Sequence, residues 1–439
     1  MSSASEIGAA IIEAAANGDL KQLRAIRKKV NDEWEFRKIC DEYSDFSTGR
    51  TVLHLAAGIG HFEMCKFLIN SVGVHIDAFT YKRCTPISEA VKGGHNKIVE
   101  FLIKQGADDG IPNTVGSTPL HYALLKDNSE LVELLVAEGA LLDADSVDGT
   151  PLQIAASRGN LKAVKSLLYW EADPNFYAAV DDGPLVCAVK SRSLESLAFL
   201  LAAKANPNMY VSGLSPLGFA AKEGDTRFLK CLLRSNADPN LVQTNDDFQD
   251  IYKPIEEAAM VHNRAAVEIL FPVTARLPHY PNWTVDGIIE YTHSEEFKTM
   301  NEEKLTKCLT ELELAGMHNA SHKDYYNAIN KYKRASLLDP SNPRWISKRS
   351  LWSSHMGSGG YAMIDALRWI RLKPDLPVPH HGGENAAAAN VIFKKFLMAG
   401  LAFLLDPNNQ EKCSAFGIGL FNYFALLCEM SSPLEILAL

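Results

Sequence analysis

The hydrophobic and polar positions of residues 51–270 repeat with a period of about 33 residues. Each period opens on a tetrapeptide such as Thr118-Pro-Leu-His121, followed by small apolar residues, a polar turn and a second apolar stretch. Seven copies of this tetrapeptide begin at residues 51, 85, 118, 150, 183, 215 and 253. A regular period of this length predicts stacked units, each built from a pair of short helices.

Each part of the period has a physical reason. Proline just inside the first helix, as at Pro151, occupies a position whose N–H would have no partner within the helix. The preceding Thr or Ser can cap free amides, and paired alanines such as Ala155-Ala156 allow close helix packing. Signatures such as Ala172-Asp-Pro-Asn175 turn the chain, so they predict a short hairpin at the end of a unit.

These residues resemble the ankyrin repeat, which implies a mainly α fold: an α-solenoid of helix pairs with β-hairpin fingers. About seven repeats are predicted over residues 49–271. The segment from Ile7 to Val30 resembles a leading half-repeat without its proline, and we expect residues 4–48 to form a unit that caps the N-terminal end of the array. The resemblance also implies that the first helices and the finger tips line a concave face where partner proteins bind.

A second period follows a proline-containing linker, which we predict at residues 272–300. Its three prolines are spaced by 34 and 33 residues and are Pro340, Pro374 and Pro407. Together with the segment from Asp324 to Ala335, this spacing resembles the tetratricopeptide repeat, a helix pair of 34 residues. The resemblance implies a short helical array of three degenerate repeats at 301–412. The two arrays together resemble the plant ankyrin–tetratricopeptide proteins over about 90% of the chain.

The last segment, residues 413–439, is an atypical tail with an apolar run from Ser414 to Cys428. This run is shorter than the roughly 20 apolar residues that a helix needs to cross a bilayer, so we do not expect membrane binding. Three interpretations stay open: the tail caps the helical array, anchors the chain, or is an alternative transcript end.

Composition narrows the classes of function. The 439 residues are 47% hydrophobic and 22% charged, which is typical of globular proteins. A net charge of −9 argues against direct nucleic-acid binding, which favours basic proteins. Eight cysteines without a C-x-x-C pair indicate buried thiols in a reducing compartment. The first thirty residues also lack a secretory signal, so we expect a cytoplasmic protein with the nucleus as a second compartment.

No motif of the chain indicates an enzyme. The glycine-rich stretch Gly357–Gly360 lacks the Lys-Ser/Thr of a phosphate loop, and the pair His380-His381 lacks the spacing of a zinc site. The ankyrin resemblance implies that His54 and His121 hydrogen-bond locally between repeats. We therefore expect a non-catalytic protein that needs neither a cofactor nor a metal.

Basic residues follow the first apolar stretch in five consecutive repeats and are Lys92, Lys126, Arg158, Lys190 and Lys222. Stacking of the repeats would place these cations along one edge of the groove. Two interpretations follow. The position is simply exposed and tolerates long polar side chains, or the cations attract a partner protein that carries an acidic segment.

Aromatic residues provide further candidate contacts, because tyrosine is a frequent hot-spot residue at protein interfaces. Tyr81, Tyr177 and Tyr210 lie at or near the predicted finger tips, whereas Tyr122 and Phe219 lie on the first helices. Each of these rings could instead pack between neighbouring repeats.

We expect the chain to be an adaptor or scaffold that binds other proteins through the ankyrin part, with the tetratricopeptide part as a second docking module. The tetratricopeptide resemblance raises one alternative: a co-chaperone that clamps the C-terminal carboxylate of heat-shock chaperones with Lys, Arg and Asn side chains. The corresponding positions are Glu313, Met317, Lys348, Val378 and Gly382, which do not match the family's residues. Glu313 would repel a carboxylate, so chaperone tails are not expected partners.

Overall fold

The computed structural model describes residues 4–30, 32–45, 48–146, 148–176, 182–209, 215–241, 252–356 and 365. These residues are mainly α-helical, as the repeat pattern predicts. The chain forms two compact units, Met1–Ala205 and Asn206–Leu439.

Three helices precede the first tetrapeptide and are α1 (Ala4–Ala16), α2 (Leu20–Val30) and α3 (Glu33–Glu42). The Asp32 carboxylate caps α3 by accepting a hydrogen bond from the Trp34 N–H at 2.8 Å. Apolar side chains recur on one face of α1, where Ile11 and Ala15 are fully buried. These helices occupy the segment for which we predict an N-terminal capping unit.

Seven helix pairs follow, one for each tetrapeptide. The first helices are α4 (Val52–Ile59), α6 (Pro86–Gly93), α8 (Pro119–Leu125), α10 (Pro151–Ser157), α12 (Pro184–Lys190), α14 (Pro216–Glu223) and α16 (Pro254–Met260). The second helices are α5 (Phe62–Phe67), α7 (Asn96–Lys104), α9 (Ser129–Ala137), α11 (Leu161–Tyr169), α13 (Leu194–Ala202), α15 (Thr226–Arg234) and α17 (Arg264–Leu270). The first five pairs belong to the first unit and the last two belong to the second.

The first helices begin where the sequence predicts their caps. The Thr150 hydroxyl accepts a hydrogen bond from the Gln153 N–H at 3.2 Å, and the Ser215 hydroxyl accepts one from the Gly218 N–H at 3.1 Å. A cap of this kind stabilises a helix by about 1 kcal/mol. Behind the cap, Ala155 is fully buried, which confirms that the small apolar residues pack between helices.

A left-handed residue reverses the chain between the two helices of every pair. It is glycine in four pairs, at Gly60, Gly94, Gly159 and Gly224. Three other pairs place Asp127, Arg192 and His262 there with φ near +56°. Because a left-handed backbone costs a residue with a Cβ roughly 1 kcal/mol, helix packing on both sides must hold these three turns.

The fingers between repeats are turns, and the prediction of β-hairpins is wrong for the residues that the structure describes. Apart from one isolated antiparallel bridge, no strand pairing occurs among them. The Asn113 N–H closes its finger by donating to the Ser117 carbonyl at 3.0 Å, and the Thr114 N–H reaches the preceding finger at the Lys82 carbonyl at 3.0 Å. Single bonds of this kind replace the ladder that a hairpin requires, because each finger has only a few residues on either side of its turn.

Four further helices follow in the described part of the second unit: α18 (Val285–Thr292), α19 (Glu295–Ser321), α20 (Tyr325–Leu338) and α21 (Pro343–His355). Helix α19 runs through the boundary that we predict between residues 300 and 301. Gly316, Ala328 and Ala335 are buried where α19 and α20 meet, beside Tyr332 and Trp345. Most of the predicted second and third tetratricopeptide repeats lies outside the described residues.

Six cysteines are described, and all six are free thiols. Burial raises the pKa of the Cys40, Cys65 and Cys187 thiols to about 12. Cys84 and Cys308 are buried as well, whereas Cys231 is partly exposed. The prediction of buried thiols is therefore confirmed for five of these six residues.

No helix within the described ranges is both long enough and apolar enough to cross a bilayer. The apolar tail at 413–439 lies outside those ranges.

Candidate protein-binding site

The predicted cations lie at the C-terminal ends of the first helices, but they occupy two different positions. Counted from the N-cap residue, Lys92 and Lys190 lie seven residues along α6 and α12, whereas Lys126 and Arg158 lie eight residues along and cap α8 and α10. An α-helix turns by about 100° per residue, so these four side chains of the first unit do not form a straight row. Lys222 lies at the seventh position of α14 in the second unit.

Lys92 is held by neighbouring side chains. Its ammonium donates to the Glu89 carboxylate at 2.8 Å and to the Cys84 sulfur at 3.0 Å, and it lies 4.3 Å from the centre of the Tyr122 ring. Burial disfavours the charged form of Lys92, but the hydrogen bonds and charges of Glu89 and Cys84 outweigh it and raise the pKa of Lys92. The structure thus brings two predicted site residues, Lys92 and Tyr122, into contact.

Glu89 connects Lys92 to a second cation that the sequence analysis did not select. Arg50 donates to the Glu89 carboxylate at 2.6 Å, and the buried carboxylate lies between the two cations. Together with His54, these three residues line a small pocket of about 220 Å³. A carboxylate shared between two cations leaves one net positive charge at this end of the first-helix face.

Tyr122 is fixed from its other side. Asn113 donates a hydrogen bond to the Tyr122 oxygen at 2.5 Å, and burial raises the pKa of Tyr122 to about 12. The ring therefore belongs to a contact between neighbouring repeats and keeps part of its surface exposed. Asn113 could have been suspected from the sequence only through its place in a finger turn.

The remaining cations fall into two groups. Lys190 pairs with the Asp182 carboxylate at 2.6 Å. Lys126, Arg158 and Lys222 are exposed, and none of them forms an ion pair with a carboxylate of the described residues. The first unit therefore carries two neighbouring exposed cations, Lys126 and Arg158, that are available to an acidic group.

The predicted aromatic contacts also differ in their surroundings. Tyr81 is 41% exposed at a finger, where its N–H donates to the Thr48 carbonyl at 3.1 Å. Phe219 is half-buried on α14 and contacts other residues of the fold. Tyr177 and Tyr210 lie outside the described residues.

The histidines of the tetrapeptides connect repeats, as the ankyrin resemblance implies. His54 Nδ1 accepts from the Thr51 N–H at 3.2 Å, so its Nε2 carries the proton and donates to the Cys84 carbonyl at 2.9 Å. His121 makes the same contacts with Thr118 and with the Gly149 carbonyl, both at 3.1 Å. This structural role is confirmed.

Two positions that would form a carboxylate clamp, Glu313 and Lys348, are already engaged with each other. Glu313 accepts hydrogen bonds from Lys348 and from Arg344, both at 2.6 Å. Met317 is partly exposed and offers no charge, while Val378 and Gly382 lie outside the described residues. A chaperone carboxylate would have to compete with Glu313 for Lys348.

Acidic, cysteine and histidine side chains do not form a metal-binding group of three or more in the described part of the chain. The pair His380-His381 lies outside that part.

Comparison with known proteins identifies the repeats. Residues 11–113 and 105–178 match the family profile "Ankyrin repeats (3 copies)", and residues 212–244 match the profile "Ankyrin repeat". These segments are ankyrin repeats, modules that generally mediate protein–protein interaction. The tetratricopeptide resemblance has no counterpart in these matches.

Similar proteins carry the repeats in different contexts. The chain is 28% identical over 193 residues to a "Probable E3 ubiquitin-protein ligase XBOS32" from rice. The aligned region covers 37% of this chain and 37% of the rice protein. It is 35% identical over 131 residues to the mouse "Nuclear factor NF-kappa-B p105 subunit", and the aligned region covers 29% of this chain and 14% of the mouse protein. Among solved structures, the human ASB11 ankyrin repeat domain matches with 26% identity and a TM-score of 0.43, and covers 51% of this chain and 96% of that domain.

Proposed function

We propose that this chain is a non-catalytic adaptor whose ankyrin repeats bind partner proteins along the C-terminal ends of the first helices and at the fingers. The ankyrin repeats support protein binding as the class of function.

The pair of exposed cations Lys126 and Arg158 is the observation that supports this site. They occupy the same position in consecutive repeats of the first unit, and no carboxylate of the described residues pairs with either. Asp127, the acidic residue next to Lys126, is engaged by the Asn160 amide at 2.5 Å instead. Lys126 ends the helix that carries the anchored Tyr122, and two exposed cations without a carboxylate partner among the described residues favour a partner segment that contains Asp or Glu.

A display library of random peptides, selected on the full chain, tests this site directly. We expect the selected peptides to be enriched in Asp and Glu, because a carboxylate gains a partner at each cation. Charge reversal in the double variant K126E/R158E should weaken binding of a selected acidic peptide by roughly tenfold, or about 1.4 kcal/mol. It should also flatten the salt dependence of the affinity.

The matched control is K66E/K97E, which changes the net charge by the same amount at exposed lysines on second helices of the same unit. Equal affinity of the acidic peptide for both double variants and the unaltered chain would exclude Lys126 and Arg158 as the site.

The helices of the second unit after residue 295 support a second docking module, which we propose as the role of the predicted tetratricopeptide part. Leu314 and Tyr326 are exposed apolar residues on α19 and α20. The Glu313–Lys348 ion pair disfavours the co-chaperone alternative. Titration of the full-length K126E/R158E variant with a peptide that ends in an acidic, free C-terminus should show no binding. Saturable binding that is lost when the same peptide is amidated at its C-terminus would favour the alternative.

We further propose that the protein acts in the cytoplasm, with the nucleus as a second compartment. The free cysteines of the described residues support a reducing environment. Fractionation of cells that express the tagged full chain checks this, and recovery in a membrane or secreted fraction would contradict it.

A further inference from the structure

An aromatic ridge lies on the second-helix face of the first unit, away from the cations of the proposed site. Tyr169, at the end of α11, is 81% exposed, and the next residue, Trp170, is partly exposed as well. The two rings meet edge to face with centroids 5.8 Å apart. This contact orients both rings before any partner arrives, which lowers the entropy lost on binding.

The neighbouring helices leave Tyr169 uncovered because they carry alanine at the same position. Counted from the N-cap residue, Tyr169 lies nine residues along α11, and the ninth residues of α9 and α13 are Ala137 and Ala202. An aromatic side chain between two alanines stands above the surface on both sides. Tyr169 therefore projects beyond the small side chains of the helices on either side.

An open trough of about 710 Å³ lies beside this ridge, between α11 and α13. Leu168, Ala202 and Ala203 line its apolar part, and Tyr169 and Phe199 contribute the two aromatic side chains. Small residues let the backbone of another helix approach closely, and the groove between two neighbouring helices accepts the side-chain ridge of a third.

Phe199 is exposed here, whereas its equivalent in an earlier repeat is covered. Phe101 lies six residues along α7, as Phe199 does along α13, but Phe101 packs edge to face against Phe62 at 5.5 Å. Phe199 is 42% exposed, and its described contact is the Lys165 ammonium 4.4 Å from the ring centre. Tyr169 and Phe199 therefore each expose part of an aromatic ring to the trough.

The charged residues that line the trough indicate which charge its partner should carry. Lys162 is neutralised by Glu133 at 3.0 Å. Lys165 forms no ion pair with any carboxylate in the described ranges, so its positive charge at the edge of the apolar trough is uncompensated. A partner that buries the trough without supplying a carboxylate would desolvate this charge at a cost.

We infer that the trough between α11 and α13 binds an amphipathic helix of a partner protein. Aliphatic side chains of this helix lie against Tyr169 and Phe199, and one Asp or Glu at the edge of its apolar face pairs with Lys165. This surface is formed by second helices and is separate from Lys126 and Arg158 at the ends of first helices. The adaptor would therefore hold two partners, or two segments of one partner.

Display of random amphipathic helices, selected on the full chain, provides the probe. Selected sequences should carry aliphatic residues three and four positions apart and at least one acidic residue. A synthetic copy of a selected helix should lose roughly tenfold or more in affinity for Y169A/F199A. The single variant K165E should weaken binding severalfold, and an Asp→Lys or Glu→Lys change in the peptide should restore it.

The variants should fold, since both aromatic side chains are exposed; a melting curve of each variant checks this. The control is W34A, which removes an exposed aromatic ring elsewhere in the first unit. It should leave the affinity of the helix unchanged, as should K126E/R158E, so a failure here is distinct from a failure of the acidic-peptide site.

Three results would overturn the inference. Selection could enrich no helix, or the selected helix could bind Y169A/F199A as tightly as the unaltered chain. Concentration-dependent self-association of the full chain that Y169A/F199A abolishes would instead make a second copy the occupant of the trough.

Discussion

The ankyrin repeats and the long helices of the second unit are stabilised in different ways. Ankyrin helices of six to nine residues are connected by side chains that reach the backbone of the next repeat, as His54, His121 and Gln153 do. Helix α19 has 27 residues and pairs with α20 through an aromatic ring, Tyr332, that lies against Gly316.

This difference shows where each region is vulnerable. Polar links of roughly 1 kcal/mol each are spread along the repeats, so one loss weakens a single junction. The α19–α20 pair instead depends on one cluster, in which the buried Tyr332 ring lies against Gly316 of the facing helix. The predictions that follow test this contrast.

Tyr332→Ala should have the largest effect. Its side chain is 1% exposed, and removing it leaves a cavity against Gly316 that should lower the free energy of unfolding by about 3–5 kcal/mol. Hydrogen exchange measured on the full chain should show lost protection in α19 and α20, while the amides of α4 to α11 keep theirs.

Tyr326→Ala is the matched control for this change, because the same residue type lies 65% exposed on the same helix. It should leave exchange protection nearly unaltered. Equal loss of protection in the ankyrin repeats of the first unit after Tyr332→Ala would contradict the contrast between local and spread stabilisation.

The histidine links should make the ankyrin repeats sensitive to acid. Burial lowers the pKa of His54 and of His121 from 6.5 to about 4. The unfolded chain therefore binds protons below pH 6.5 that the folded chain does not, so stability is complete above that pH and falls as the pH drops towards 4. When the pH falls from 7 to 5, each histidine should lower the free energy of unfolding by about 2 kcal/mol.

The chain itself supplies the control for this prediction. Gln153 occupies the same tetrapeptide position, where its oxygen accepts from the Thr150 N–H at 2.8 Å and its amide donates to the Asp182 carbonyl at 2.6 Å. The variant H54Q/H121Q should keep the links but lose most of the stability difference between pH 7 and pH 5. Chemical denaturation at both pH values measures this.

Asp109 acts in the opposite direction, because burial raises the pKa of its carboxyl to about 6 and favours the folded chain as the pH falls. Asp109 is present in both the unaltered chain and H54Q/H121Q, so its contribution cancels when the pH dependence of their stabilities is compared. An unchanged pH dependence in the variant would show that the two histidines do not determine acid stability.

Asn160→Ala should have the smallest effect. The Asn160 side chain caps α11 by accepting from the Ala163 N–H at 2.9 Å and also donates to Asp127 in the preceding repeat. Losing this cap should lower the free energy of unfolding by about 1 kcal/mol, measured by denaturant titration. Asn70→Ala, at an exposed position without a cap, should change stability by much less; a larger change there would contradict the assignment.

Much of the ankyrin part is predictable from short-range patterns. Thr150 and Pro151 determine where α10 begins, and the ninth position after the N-cap reverses the chain in all seven pairs. The finger geometry was predicted wrongly, because Asp-Pro-Asn signatures indicate a turn but do not show whether backbone pairing extends beyond it.

The candidate site was predictable only in part. Sequence position selected Lys92 and Tyr122, but it could not show that Glu89 lies buried between Lys92 and Arg50. Nor could it distinguish Lys190, which is paired, from Arg158, which has no carboxylate partner among the described residues. Pairing depends on residues of other helices and turns, and their approach is not encoded in the local pattern.

The sequence by itself determined the period and the helix starts, because capping, proline and turn preferences act over a few residues. Only the tertiary structure decided which side chains are exposed. Tyr169 projects from the surface because the helices beside it carry the small residues Ala137 and Ala202, which lie about thirty positions before and after it in the sequence. Burial and charge pairing are properties of the packed neighbours, so they emerge only when the repeats are stacked.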